Sequence, residues 1–351
     1  MKVIVIHEKN DLRIESRDII SPSPDEVQIQ VATGGVCGSD LHYYNHGGFG
    51  TVKLREPMIL GHEVSGYVRG IGANVSHLNE GDLVAVSPSR PCNHCRYCME
   101  GAHNQCLNMQ FYGSAMPYPH IQGAFREVIN VRGSQCIIAN GLSSSEAAMA
   151  EPFAVTLHAT HQVGDLLGKR VLVTGCGPIG ALSIVSARLA GAAEIVVTDL
   201  AANALALAQA MGADRTINVA EDPSALNTYS DDKGYFDVHY ECSGSNAALQ
   251  AAITILRPGG VIVQLGLGGD MTLPMMAITA KELSLKGSFR FHREFSTAVE
   301  LMQNRLVDVK PLVTHTFALE DAEQAFKVAN DRSVAMKTQI TFSQSSLEIN
   351  S

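Results

Sequence analysis

The chain has 351 residues, 46% hydrophobic and 17% charged, which is too long for one ordinary domain and enough to bury large cores. Its 26 basic and 35 acidic residues give a formal charge of −9, which argues against nucleic acid and anionic membrane as main partners. Eight Cys over this length do not make a disulfide scaffold, and four of them cluster in a way that points to metal.

The N-terminal MKVIVIHEKN returns to charge after a short apolar run, unlike a signal peptide, and the uncharged run 171–187 is short for a membrane span. A reduced, cytoplasmic protein is expected. Residues 1 to about 145 read as β-rich, with β-branched runs at 3–6, 12–16, 27–33, 64–68, 83–86 and 126–131. Val27, Ile29 and Val31 alternate with Gln28 and Gln30, as a strand with one buried face should. The pattern turns helical over 143–169. Strands at 170–174, 194–198, 216–219, 238–241 and 261–265 then alternate with helices at 178–190, 201–211 and 246–256. That alternation predicts a parallel sheet covered on both faces. Beyond about residue 287, helices are expected at 294–302 and 320–329 and strands at 312–316 and 337–342, with a polar tail at 343–351.

Chemistry concentrates first in GGVCGSDL, residues 34–41, read with Gly61-His62-Glu63 and Glu151-Pro152. Cys37, His62 and a carboxylate come from separate segments. A thiolate, imidazole and carboxylate set of this kind suits a catalytic zinc, because three protein ligands leave a fourth position open. The flanking glycines are expected to let the backbone turn sharply around Cys37. Ser39 and His42 follow closely enough to pass a proton. Taken singly, each residue reads as a core Cys, a core His or a surface acid; the set gains weight from two further motifs.

The first of these is C-x2-C-x2-C-x7-C at Cys92, Cys95, Cys98 and Cys106. Four thiolates close the shell of a tetrahedral zinc, so the role would be structural. The same count can hold an iron–sulfur cluster, the less favoured alternative. The second is G-x-G-x-x-G at Gly175, Gly177 and Gly180, placed between a strand and a helix that begins with Pro178 and Ile179. Gly175 allows the tight turn, Gly177 lets a pyrophosphate approach the backbone, and Gly180 lets helix and strand pack. Asp199 ends the next strand, where an acid should hold the ribose hydroxyls. Residues 200–204, beginning with Leu200, hold no Arg or Lys, which favours NAD and leaves NADP open. Asp199 also reads as a helix N-cap, a role compatible with the first.

An open zinc site beside a nicotinamide fold implies hydride transfer between an alcohol and a ketone. The chain resembles the zinc-dependent medium-chain dehydrogenases, in their sorbitol dehydrogenase-like branch. GVCGSDLHYY, EPMILGHEVSG, the four-Cys loop, EPFAVTLHA, VLVTGCGPIG, VVTDL, ECSG and VKPLVTHTF carry the resemblance. It implies an α/β protein: a GroES-like β-rich catalytic domain, 1–145 completed by 288–342, and a Rossmann doubly wound parallel sheet over 146–287. It also implies catalytic zinc on Cys37, His62 and Glu63, with Glu151 a further ligand or bound through water, and a Ser39–His42 proton relay. Tyr43, Glu151 and Arg290 match positions that contact the polyol. Leu265, Gly266, Leu267, Ser288, Phe289 and Arg290 match segments lining the nicotinamide half of the cofactor site. Two zinc ions per chain, a small-molecule sugar acid or polyol substrate, and a homotetramer or homodimer complete the expectation. Two departures stand out: the Cys quartet is complete, whereas some animal sorbitol dehydrogenases have lost it, and Ala204 stands where the family often has a basic residue.

A sugar acid needs a cation or several donors for its carboxylate. Arg290 with Arg293 or His46 is the expected contact, while Lys53 and Arg55 read as solvated. The competing readings are sorbitol or xylitol oxidation, threonine 3-dehydrogenation, and a zinc-bearing nucleotide sensor without chemistry. A sensor should have lost some of Cys37, Ser39, His42, His62 or Glu151, and all are present.

Overall fold

Alternation of apolar and polar residues drives the strand Glu26–Gly35, whose Val27, Ile29 and Val31 are buried. In the computed structural model, which describes residues 1–342, this strand organises the first of two compact units: Met1–Glu151, Phe295–Asp331 and the segment from Lys337. It pairs antiparallel with Glu63–Ile71, Val128–Arg132 and Lys337–Thr341. The register sets Gly35 opposite Glu63 on one side and Gln339 on the other. Three distant segments therefore meet at one strand end. Phe125, Tyr43, Phe326 and Leu60 lie in the core of this unit.

The second unit, Pro152–Glu294 with Arg332–Met336, holds a six-stranded parallel sheet. Its order is Arg215–Asn218, Glu194–Asp199, Arg170–Thr174, Phe236–Glu241, Leu256–Gln264 and Ser284–Gly287. In chain order this is 3-2-1-4-5-6, a doubly wound sheet whose switch point falls between Arg170–Thr174 and Phe236–Glu241. Val171, Leu172 and Val173 are fully buried, as strands covered on both faces require.

Three differences from the sequence reading have physical causes. Gly38–His46 is a helix where no element was expected, and it buries Asp40, Tyr43 and Tyr44 instead of an aliphatic stripe, so no helical apolar period marks it. The helical stretch 143–169 divides into Ser144–Ala148 and Ala150–Val163 and stops at Gly164, whose φ of +94° is left-handed. The helix Met275–Ala280 and the strand Ser284–Gly287 bury none of their side chains, which leaves no hydrophobic pattern to read.

Candidate active site

Cys37 sits at the N-cap of the helix Gly38–His46, and His62 and Glu63 lead into the strand Glu63–Ile71. The ligand atoms of Cys37, His62 and Glu63 all lie within 4.8 Å of one another. Gly35 makes this possible by having no side chain: a Cβ there would stand 2.1 Å from Glu63 Oε2. The glycine lies inside a strand and gives the carboxylate room, so the expected sharp turn at Gly34 and Gly35 is corrected to a close approach.

Two residues given no role by the sequence reading hold the cluster. Asp40 is fully buried, and its carboxylate accepts the N–H of Cys37 at 3.0 Å and of Gly61 at 3.2 Å. It thereby ties the Cys loop to the His loop, with Oδ1 3.8 Å from His62 Nδ1. Burial pushes the Asp40 carboxyl up. Lys337 places Nζ 2.8 Å from both oxygens of Glu63. Asp40 has a readable signal, a carboxylate three residues after the N-cap. Lys337 lies far away in sequence and has none.

Burial, then repulsion from Glu63, pushes the Cys37 thiol up to about 12. Glu151 is buried and lies outside that 4.8 Å cluster, yet its charge interacts with those of His62, Glu63 and Cys37; burial lifts its carboxyl to about 8. Acids crowded out of water in this way resist ionising unless a cation joins them, and a soft thiolate, an imidazole and a carboxylate are donors that fit zinc. Ser39 Oγ lies 3.5 Å from His62 Nε2. The half-buried His42 ring is 5.8 Å from that of Phe49. Tyr43, expected at the substrate, is buried, and its hydroxyl accepts the N–H of Ala115 at 2.9 Å.

The Sγ atoms of Cys92, Cys95, Cys98 and Cys106 also gather within 4.8 Å. Backbone N–H groups point at the sulfurs, from Cys92 to Cys106 at 3.2 Å and from Asn108 to Cys106 at 3.3 Å, as thiolate acceptors require. Such bonds, led by the one from His94, hold Cys92 down at about 5.

In the second unit, Gly175 has a φ of +81°, which a side chain would strain, and a Cβ on Gly180 would stand 1.9 Å from the Gly175 carbonyl oxygen. A Cβ on Gly177 would meet nothing within 4 Å, so the approach to the start of the helix Pro178–Leu189 is open. Ile179 belongs to the first turn of that helix. Asp199 Oδ2 accepts the Cys176 N–H at 2.6 Å, and Oδ1 accepts those of Leu200 and Ala201 at 2.7 and 2.9 Å. The N-cap is Ala201, so Asp199 anchors the glycine turn instead of capping the helix. Ala204 is buried, and Leu200 is 69% exposed. Leu265, Gly266 and Leu267 follow the strand Leu256–Gln264. Ser288 and Phe289 follow Ser284–Gly287, and the Ser288 hydroxyl is buried without a hydrogen-bond partner. Arg290 lies next to them with a φ of +55°, its Cζ 4.8 Å from the Phe289 ring centroid.

Residues 23–140 match the model of the alcohol dehydrogenase GroES-like domain and 178–304 that of the zinc-binding dehydrogenases. The chain is 44% identical to an L-idonate 5-dehydrogenase (NAD(P)(+)) of Escherichia coli, over 90% of this chain and 91% of that protein. The chain belongs to the zinc-dependent medium-chain dehydrogenases. Within this family it is 37% identical to the sorbitol dehydrogenase of Gallus gallus over 92% of each chain. It also superposes on a crystal structure of Escherichia coli L-idonate 5-dehydrogenase with a TM-score of 0.93, 41% identity and 97% coverage of both chains. It is thus a zinc- and NAD(P)-dependent dehydrogenase with a GroES-like domain and a Rossmann-like sheet. No helix among the described residues is long and apolar enough to cross a membrane.

Proposed function

We propose that the chain oxidises the C5 hydroxyl of L-idonate to 5-keto-D-gluconate, with two zinc ions per chain and NAD preferred over NADP. The observation that carries the chemistry is the Cys37, His62 and Glu63 cluster, three donors where a tetrahedral zinc takes four ligands. When bound, zinc polarises the substrate hydroxyl and the nicotinamide accepts the hydride.

This chain's own residues do the rest. His62 would offer Nε2, since Nδ1 faces Asp40. Lys337 neutralises Glu63. Ser39 and His42, on the helix that Cys37 caps, carry the proton outward. Glu151 is the fourth acid, held ready as ligand or through water. The Cys quartet holds the second zinc as a closed structural site. Asp199 takes the ribose hydroxyls and repels a 2′-phosphate, and Arg290 with Arg293 or His46 gives the sugar-acid carboxylate cationic partners.

The second reading is a polyol dehydrogenase, favoured by the likeness to sorbitol dehydrogenase; threonine oxidation ranks behind it. The exposed edge strand Ser284–Gly287, with Leu285, Met275 and Met276 open to solvent, supports self-association as a dimer or tetramer. NADH absorbance with L-idonate, sorbitol, xylitol and threonine separates the readings. L-idonate should give the highest kcat/KM, and faster turnover of sorbitol would overturn the assignment.

A further inference from the structure

Glu241 ends the strand Phe236–Glu241 and is 0% exposed. Its Oε1 accepts the N–H groups of Ser243 at 2.9 Å and Gly244 at 3.1 Å, and the hydroxyls of Thr174 at 3.3 Å and of Ser243. Its Oε2 accepts Gly244 N–H at 3.0 Å and Gln264 Nε2 at 2.7 Å. Its backbone carbonyl takes the N–H groups of Leu265 at 2.9 Å and Gly266 at 2.8 Å. Every one of these donors is neutral, and no ion pair involves Glu241 among the described residues. Nearby His239, which shares Thr174 with it, is fully buried and kept neutral by that burial. Buried charges are ordinarily paired, because leaving water is costly to them. Here a carboxylate is held in the protein interior by neutral dipoles alone. An apolar residue would serve the core with less cost.

The location suggests what the charge is for. Ser243 packs on the first glycine of the nucleotide turn: a Cβ on Gly175 would stand 2.7 Å from Ser243 Cα. On Gly266, a Cβ would stand 2.2 Å from Gly244 N and 2.6 Å from Glu241 Oε2. The carboxylate therefore lies directly beneath the two loops that follow the fourth and fifth strands of the sheet. In a doubly wound sheet a dinucleotide crosses the switch point, one nucleoside on each half. Asp199, on the other half, marks the adenosine side, so the half carrying Glu241 faces the nicotinamide.

We propose that Glu241 is a positioning residue that also acts electrostatically, its buried charge favouring the cationic ring of NAD+ over the neutral ring of NADH. The same carboxylate shapes the two loops and biases the site toward release of the reduced cofactor. This rests on the NAD(P) chemistry proposed above.

The test is the ratio of NADH to NAD+ dissociation constants, measured by fluorescence and calorimetry on the whole protein without substrate. Glu241→Gln removes the charge. Gln264→Lys keeps a donor to Oε2 and neutralises the charge from outside. In both variants NAD+ should lose about ten-fold relative to NADH, the charge–charge term for a separation of about 12 Å at an effective dielectric of about 20. Glu241→Asp, which keeps the charge and loosens the loops, should weaken both cofactors with the ratio unchanged. If Glu241→Gln does not fold, Gln264→Lys decides alone. Equal loss of NAD+ and NADH in every folded neutralising variant overturns the proposal and leaves Glu241 a structural clamp. Wild-type protein that binds neither nucleotide would instead defeat the dehydrogenase reading itself.

Discussion

Lys337 donates to both carboxylate oxygens of Glu63 at 2.8 Å, with the two residues only 2% and 1% exposed. Burial pulls the Lys337 ammonium down, but the charges of Glu63 and Cys37 outweigh it and hold the group above its ordinary value. The pair is a counter-charge built into a site whose other groups are acids or an imidazole. Removing one partner of a buried pair strands the other, at a cost on the order of 3 kcal/mol. Lys337→Met should therefore lower the stability of metal-free protein by about that amount in urea unfolding. The loss should shrink when zinc is added, because the metal then supplies the missing positive charge. An equal loss with and without zinc would show that Glu63 does not face the metal.

The Cys quartet makes a separate prediction. Closed thiolate sites contribute folding energy directly. Cys95→Ser should reduce zinc content from two ions to about one and lower Tm, while the folded remainder keeps its kcat. Metal analysis that finds one zinc in fully active wild-type protein would refute the two-zinc assignment.

Asp199 has two roles, and one substitution separates them. Its Oδ2 holds the Cys176 N–H within the glycine turn at 2.6 Å, so Asp199→Ala should weaken NAD and NADP together. Loss of the negative charge should also narrow the NAD preference by roughly ten-fold, about 1.4 kcal/mol. The check is kcat/KM for each cofactor. A uniform loss with no change in ratio would leave only the structural role.

Substrate charge is tested at Arg293, an exposed residue beside the candidate Arg290. Arg293→Ala should raise KM for L-idonate by roughly ten-fold, about 1.4 kcal/mol. An uncharged polyol should be affected less. Equal effects on both substrates would remove the argument from charge.

What can be read from the sequence depends on whether a residue works through local spacing. The Cys quartet, the glycine turn and the strand at 170–174 carry their geometry in a few consecutive residues, and the structure gathers the same side chains. Asp40 is legible in part, since its bond to Cys37 N–H is local and its bond to Gly61 N–H is not. Lys337 acts through a contact set by strand register: Gly35 faces Glu63 on one neighbour and Gln339 on the other, and Lys337 lies two residues before Gln339. Nothing near Lys337 in the chain announces that partner. Glu241 is visible only as part of ECSG, a family motif, because its hydrogen bonds come from three strands' ends. The helix Gly38–His46 is hidden for a related reason, since its buried face includes an aspartate and two tyrosines in place of aliphatic residues.

His239 makes the folded protein less stable as pH falls. It is fully buried beside Thr174, and burial depresses it from 6.5 to about 3. Its Nδ1 has no hydrogen-bond partner, so the folded state has no acceptor that would favour a second proton. Above pH 6.5 the imidazole is neutral in both folded and unfolded chains and stability is unaffected. As pH falls below 6.5 the unfolded chain takes up a proton that the folded chain refuses until about pH 3, so stability drops across that window. Between about pH 7 and about pH 5 the loss from this one group is about 2 kcal/mol. His239→Leu removes the titration, though it also costs the bond to Thr174 at every pH. The informative quantity is therefore the difference in unfolding free energy between wild type and variant, measured at pH 7 and at pH 5. That difference should shift by about 2 kcal/mol in favour of the variant on acidification. Other acid-sensitive groups, the metal ligands among them, are common to both proteins and cancel. A wild-type minus variant difference that stays constant from pH 7 to pH 5 would mean that His239 accepts its proton in the folded state.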